Sequence, residues 1–115
     1  MASKEILLKT TQTWDGTELK PSKIDNPEVT VLKITIPPHE RLTMHKHPML
    51  NVVYLNKGKL TIVTKDGQEK TIKKGECLTE LIDTFHYGKN DTDENTELIV
   101  FYFGEKDEKL SIEEK

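Results

Sequence analysis

The sequence predicts an all-β chain folded as one domain, a closed or two-sheet barrel, and three observations carry that expectation. Turn signals at Asn56-Lys57-Gly58, Asp66-Gly67, Lys74-Gly75 and Tyr87-Gly88 cut the middle of the chain every 8 to 13 residues. The stretches between them are rich in Val, Ile, Thr, Leu and aromatic residues, as strands are. No stretch sustains an apolar i, i+3, i+4, i+7 repeat over three turns. Closing a sheet, or stacking it on a second, hides the edges that short strands leave open.

Taken in order, residues 1–28 read as an amino-terminal arm and strand, in which Trp14-Asp15-Gly16 makes a turn anchored by its aromatic ring. Val29 to Ile36 alternates, and Thr30, Leu32, Ile34 and Ile36 form the set expected to face the core. Asn51 to Leu55 is apolar on both faces, as in a strand covered on both sides or lying at a subunit contact. Leu60 to Lys65 runs into Asp66-Gly67, a type I′ hairpin signal, and Lys70 to Lys73 returns. Glu76 to Ile82 places Leu78, Glu80 and Ile82 on one face and Cys77 on the other. Glu97 to Phe103 completes a barrel region of residues 29–103. The charged stretches Asn90 to Glu97 and Gly104 to Lys115 read as solvated loop and tail, with at most a frayed helical turn over Lys106 to Lys115.

Composition excludes several classes of function. At 115 residues, 34% hydrophobic, the chain can bury a modest core without staples. Its apolar runs are three or four residues long, far short of a bilayer span, so no membrane partner is expected. With 17 basic and 20 acidic residues, a net charge of -3 and no basic stripe, nucleic acid is not expected either. One cysteine, Cys77, rules out an internal disulfide, and its side of the strand offers no activating base. The first ten residues lack the apolar stretch of a signal peptide, so the cytoplasm is the default expectation, with a periplasmic or exported protein left open where a signal has been removed.

The residues suited to chemistry begin with His45-Lys46-His47. If Leu42 to His47 is extended, the two histidines share a face about 6 to 7 Å apart at their bases, and both imidazoles can converge on one ion. A pair of ligand-free histidines at the surface or half-buried is the alternative reading. Glu80, on the core side of its strand close in sequence to His86, is a carboxylate directed into the barrel. A buried carboxylate is tolerable when a cation or a proton compensates it, so Glu80 reads as a metal ligand or proton-transferring base, or else as an outward residue beside a loop. His39 and Arg41 read as solvated, or as lining an anion site at the barrel mouth.

His45-x-His47 is followed after three residues by Asn51 and after six more by Gly58. Gly75 precedes His86, and Asn90 follows it at the fourth position. This arrangement resembles the two motifs of the cupin superfamily over residues 39–90, and the HxHP, Asn and His-Tyr-Gly elements are similar to a branch of small single-domain cupins. The resemblance implies a double-stranded β-helix, or jelly roll, with His45, His47 and His86 in the positions of the family's three histidine ligands. Gly58, Gly75 and Asn90 match its turn and loop positions. His39 stands where the motif has Gly, and Leu81 and Asp83 where it has Pro and Gly. Asn51 replaces the acidic ligand with a weaker, neutral donor, so the ion is lost, or is held with Asn51 or, as the best substitute acid, Glu80 in the fourth position.

What the resemblance implies in function is a mononuclear site for one divalent transition metal (Fe, Mn, Ni or Zn) and a small-molecule ligand. Three readings stay open: a metal-dependent enzyme such as a dioxygenase or isomerase, with Glu80 as its catalytic group; a non-catalytic module binding a sugar or organic acid; and a structural protein whose barrel supports a homodimer, paired through Asn51 to Leu55 and Glu97 to Phe103.

Overall fold

The structure, a computed structural model, describes residues 1–115 and consists of nine strands without a helix. They are β1 (Pro27–Ile36), β2 (His45–Lys46), β3 (Leu50–Lys57), β4 (Lys59–Thr64), β5 (Glu69–Lys73), β6 (Cys77–Thr79), β7 (His86–Lys89), β8 (Thr96–Glu105) and β9 (Ile112–Glu113). One sheet has the order β1-β8-β3-β6, the other β5-β4-β7-β2-β9. All pairings are antiparallel. The chain changes sheet at every connection except the β4–β5 hairpin, so the two sheets wrap one interior as a jelly roll.

Period-two alternation decides what enters that interior. Leu60, Ile62 and Thr64 of β4 and Thr96, Leu98, Val100 and Tyr102 of β8 are all buried. Of these, Leu60, Ile62, Leu98, Val100 and Tyr102 meet Val53, Leu55, Ile72 and Leu78 in a single apolar cluster. Each fully buried Leu or Ile contributes roughly 1.5–3 kcal/mol relative to exposure. The interior is graded along the strands. Leu55 pairs with Leu98, but four residues away on the same two strands Asn51 pairs with Tyr102. On the facing sheet Thr64 pairs with His86. One end of the barrel is therefore hydrocarbon and the other polar.

The expected strands are present with changed limits. In β1, Ile36 is buried and Ile34 packs on the core as expected, but β1 is an edge strand and Leu32 stays exposed. The Asp66-Gly67 hairpin forms without a type I′ turn. Only Gly67 (φ 93) is left-handed, and a type I′ turn needs two such residues; Gly67 N donates to Thr64 O at 3.0 Å, closing a three-residue loop. Tyr87-Gly88 is not a turn but the middle of β7. Its glycine reflects close packing, because a Cβ there would lie 3.1 Å from Leu60 Cδ1. The strand expected over Glu76 to Ile82 stops at Thr79, and Asp83 turns the chain at φ 55. The last residues form β9 on β2 instead of a helical turn.

Candidate metal centre

The polar end of the barrel assembles its side chains from strands distant in sequence. His45 in β2 lies directly opposite His86 in β7. His47, two residues on, points to the same side, as alternation requires. The ring centroids of His45 and His47 are 4.8 Å apart, those of His45 and His86 4.8 Å, and those of His47 and His86 5.1 Å. One ligand atom from each ring lies within 4.8 Å of the others. His47 and His86 are buried and His45 half-buried.

Each ring is oriented by a backbone carbonyl. His45 Nδ1 contacts Thr43 O at 2.6 Å, His47 Nδ1 contacts Leu110 O at 2.8 Å, and His86 Nδ1 contacts Thr84 O at 2.8 Å. A carbonyl only accepts, so each neutral ring carries its proton on Nδ1 and leaves the Nε2 lone pair free. Such an outer contact fixes ring and tautomer in metal-binding histidines. Burial lowers the pKa of all three imidazoles, that of His47 to about 4, which keeps them in the neutral form that binds metal.

Glu80 is directed into the barrel as expected, only 4% exposed, although it lies just past the end of β6 and its neighbours Thr79 and Leu81 are buried too. Its Oε1 accepts hydrogen bonds from Trp14 Nε1 at 2.7 Å and Leu81 N at 3.0 Å. Its Oε2 faces His86 Nε2 at 3.6 Å, beyond hydrogen-bond reach. Burial raises the carboxyl above its usual range, and the two donors pull it back only in part. Asn51 is fully buried; Nδ2 donates to Met49 O at 3.0 Å, while Oδ1 has no partner. An orphaned buried acceptor costs about 1–3 kcal/mol.

These groups share a cavity of about 40 Å³, also lined by Tyr102, Val100 and Leu98. That is room for an ion and one or two small ligands; sites for drug-sized molecules measure roughly 300–1,000 Å³. A larger cleft of about 430 Å³ lies elsewhere, between the amino-terminal arm and residues 81–84, and none of the three histidines lines it. Three free imidazole lone pairs, a buried carboxylate oxygen without a donor and an orphaned amide oxygen fit one divalent cation. Two donors held at roughly 2.1 Å by one ion lie about 3.0–4.2 Å apart; the Glu80–His86 separation falls within that range, and the imidazole donors, spread over up to 4.8 Å, would draw together slightly on an ion.

The structure brings His45, His47, His86, Glu80 and Asn51 together. It leaves His39, bonded to Asp93, and Arg41, stacked on Tyr87, outside the cavity. Cys77 is half-buried on the outer face, where burial raises its thiol pKa. Asn90 is fully buried and tethers Ile36 O and Glu94 O, a structural role. Sequence reasoning missed three contributors. Tyr102 lies 5.6 Å from His47 between ring centroids, and burial together with Glu80 pushes its hydroxyl pKa up to about 12. Its inward parity with Leu98 and Val100 was a usable signal. The Trp14 contact to Glu80 and the Leu110 contact to His47 had none.

The cupin domain model matches residues 32–102. Similar solved structures include a cupin domain from Bordetella pertussis, 25% identical over 70% of this chain and 86% of that one, with a TM-score of 0.59. A cupin-like protein from Thermotoga maritima is 20% identical over 64% of this chain, with a TM-score of 0.59. A sugar phosphate isomerase from Silicibacter pomeroyi is 23% identical over 64% of this chain, with a TM-score of 0.56. The alignment spans only 56% of the Thermotoga protein and 49% of the isomerase. A search of the curated proteins found no match. With 32–102 matched and the two-sheet barrel shared with these structures, the chain belongs to the cupin family.

Proposed function

We propose that this cupin holds one divalent transition-metal ion on His45, His47 and His86, with Glu80 Oε2 as the fourth ligand, and acts there on a small oxygen-donor molecule. The observation that carries the reading is the set of three Nδ1 contacts to carbonyls, which leaves three Nε2 lone pairs free in one polar cavity. A bound ion of this kind supplies Lewis-acid polarisation of a carbonyl or enol, or dioxygen activation if it is redox-active. Three neutral imidazoles and one carboxylate leave a divalent ion with a net positive charge, which favours a small organic acid or enolate. With Oε2 on the ion and Oε1 held by two N–H groups, Glu80 would serve as a ligand and not as the proton acceptor. Leu98, Val100 and Tyr102 line the same cavity.

Metal analysis of protein supplied with iron, manganese, nickel or zinc should give about one ion per chain, and none in His86→Ala. Glu80→Gln should weaken metal binding about 10-fold or more, leaving only the weaker site of the three imidazoles, while Asn51→Ala should leave it unchanged; the opposite pattern transfers the fourth position to Asn51. Near-zero occupancy under every supplement removes the reading. The small cavity favours one alternative, a binding module whose ion only supports the barrel. The visible spectrum of the cobalt-loaded protein separates the two: glycolate changes it where a coordination position is open and leaves it unchanged where the ion is closed off.

The outer face of the β1-β8-β3 sheet supports a homodimer. Val29 and Val31 are 62% and 53% exposed and register against Phe103 and Phe101, which continue into Leu50 and Val52. A contiguous apolar strip of this kind marks an interaction surface. Light scattering should give twice the chain mass, and Phe101→Glu should halve it without changing the far-ultraviolet spectrum; a monomeric wild type refutes the pairing.

A further inference from the structure

The amino-terminal arm contributes more than cover. Thr11 to Leu19 forms a small hairpin: Leu19 N donates to Thr11 O at 2.8 Å, Thr13 N to Thr17 O at 2.9 Å, and Gly16 turns the chain at φ 92. Trp14 N donates to Thr79 O at 3.0 Å, docking the hairpin on the end of β6 beside Glu80. The indole then reaches the carboxylate across 66 residues of sequence. Indole nitrogen only donates, so the contact has one polarity. The two oxygens of Glu80 thereby become unequal. Oε1 is held by two N–H groups, whereas Oε2 has no donor and faces the imidazoles.

We propose that Trp14 is a positioning residue of the metal centre: its indole N–H anchors Glu80 Oε1 so that Oε2 alone is presented to the ion. This inference rests on the metal-binding reading above and deepens it. The arm is thus part of the centre, although it contributes no ligand. Outer partners of metal ligands typically alter affinity 10–100-fold when removed.

The test is a double-mutant cycle on zinc affinity, measured by competition with a chromogenic chelator. Trp14→Phe removes the donor and keeps an aromatic ring; it should weaken zinc binding about 10-fold or more. In the Glu80→Leu background the same substitution should change affinity less than twofold, because its effect runs through the carboxylate. Equal weakening in both backgrounds would show that Trp14 only packs the arm, and no weakening in either would likewise overturn the proposal. If the wild type and His86→Ala both fail to bind zinc, the metal reading itself falls, and the inference with it. A second measurement needs no arm variant. Trp14 is the sole tryptophan, so its fluorescence reports the contact: at zinc concentrations that saturate each protein, the ion should shift its emission in the wild type and not in Glu80→Leu. Emission indifferent to both ion and Glu80 also overturns the assignment.

Discussion

Three residues show how one backbone conformation is handled in different ways. Gly58 has φ 81, and a Cβ there would lie 2.9 Å from Asn95 O and 3.1 Å from Thr96 Oγ1. His39 and Asp83 have φ 61 and 55 with side chains present, and they stand where the family motifs carry glycine. The left-handed backbone is therefore retained where the glycine is not, because His and Asp tolerate it better than most residues. Gly58→Ala should cost about 2 kcal/mol or more, summing a left-handed penalty of about 1–2 kcal/mol with a clash against backbone. Asp83→Gly should change stability by less than about 1 kcal/mol, since relieved strain offsets the greater freedom of the unfolded chain. Urea midpoints for both variants check the contrast, and a Gly58→Ala chain as stable as the wild type would refute it. At this scale the sequence was informative for His45 and His47 through their two-residue spacing, for His86 through its place in the second motif, and for Glu80 through a strand pattern that gave the right side although β6 ends one residue earlier.

Alternation failed where elements are held by contacts instead of by their own pattern. β7 carries Gly88 at its centre and so resembled a turn, and β9 is two residues long within a charged tail. Nothing in Lys106 to Lys115 signals that Leu110 offers its carbonyl to His47, or that Lys46 and Ile112 pair. That segment is an outer support of the centre. Ending the chain after Glu108 removes β9 and the Leu110 acceptor but none of the proposed ligands. The barrel should persist, since β9 adds only a two-residue edge, while the ring of His47 loses its orientation. Zinc affinity should fall about 10-fold or more in a truncated chain with an unchanged far-ultraviolet spectrum. Unchanged affinity would show that the carbonyl contact is incidental.

For the molecule as a whole, a closed or two-sheet barrel was legible because turn spacing and β-rich segments leave few alternatives, and the jelly roll followed from the resemblance of the two motifs. The pairing order was not legible. No local pattern says that β8 lies between β1 and β3, or that the arm closes on Glu80. Those long-range contacts give the centre a thermodynamic signature. Its proposed ligands come from β2, the chain after β6 and β7, and unfolding disperses them, so an ion that binds only the folded chain stabilises it by mass action. At free zinc one hundred times the dissociation constant the gain is about 2.7 kcal/mol. For a domain of this size that corresponds to a rise in Tm of about 10 °C. Differential scanning calorimetry with zinc should show the rise, a chelator should reverse it, and His86→Ala should show none. Coincident melting of the zinc-loaded and chelator-treated wild type would mean that the three imidazoles do not act as one site.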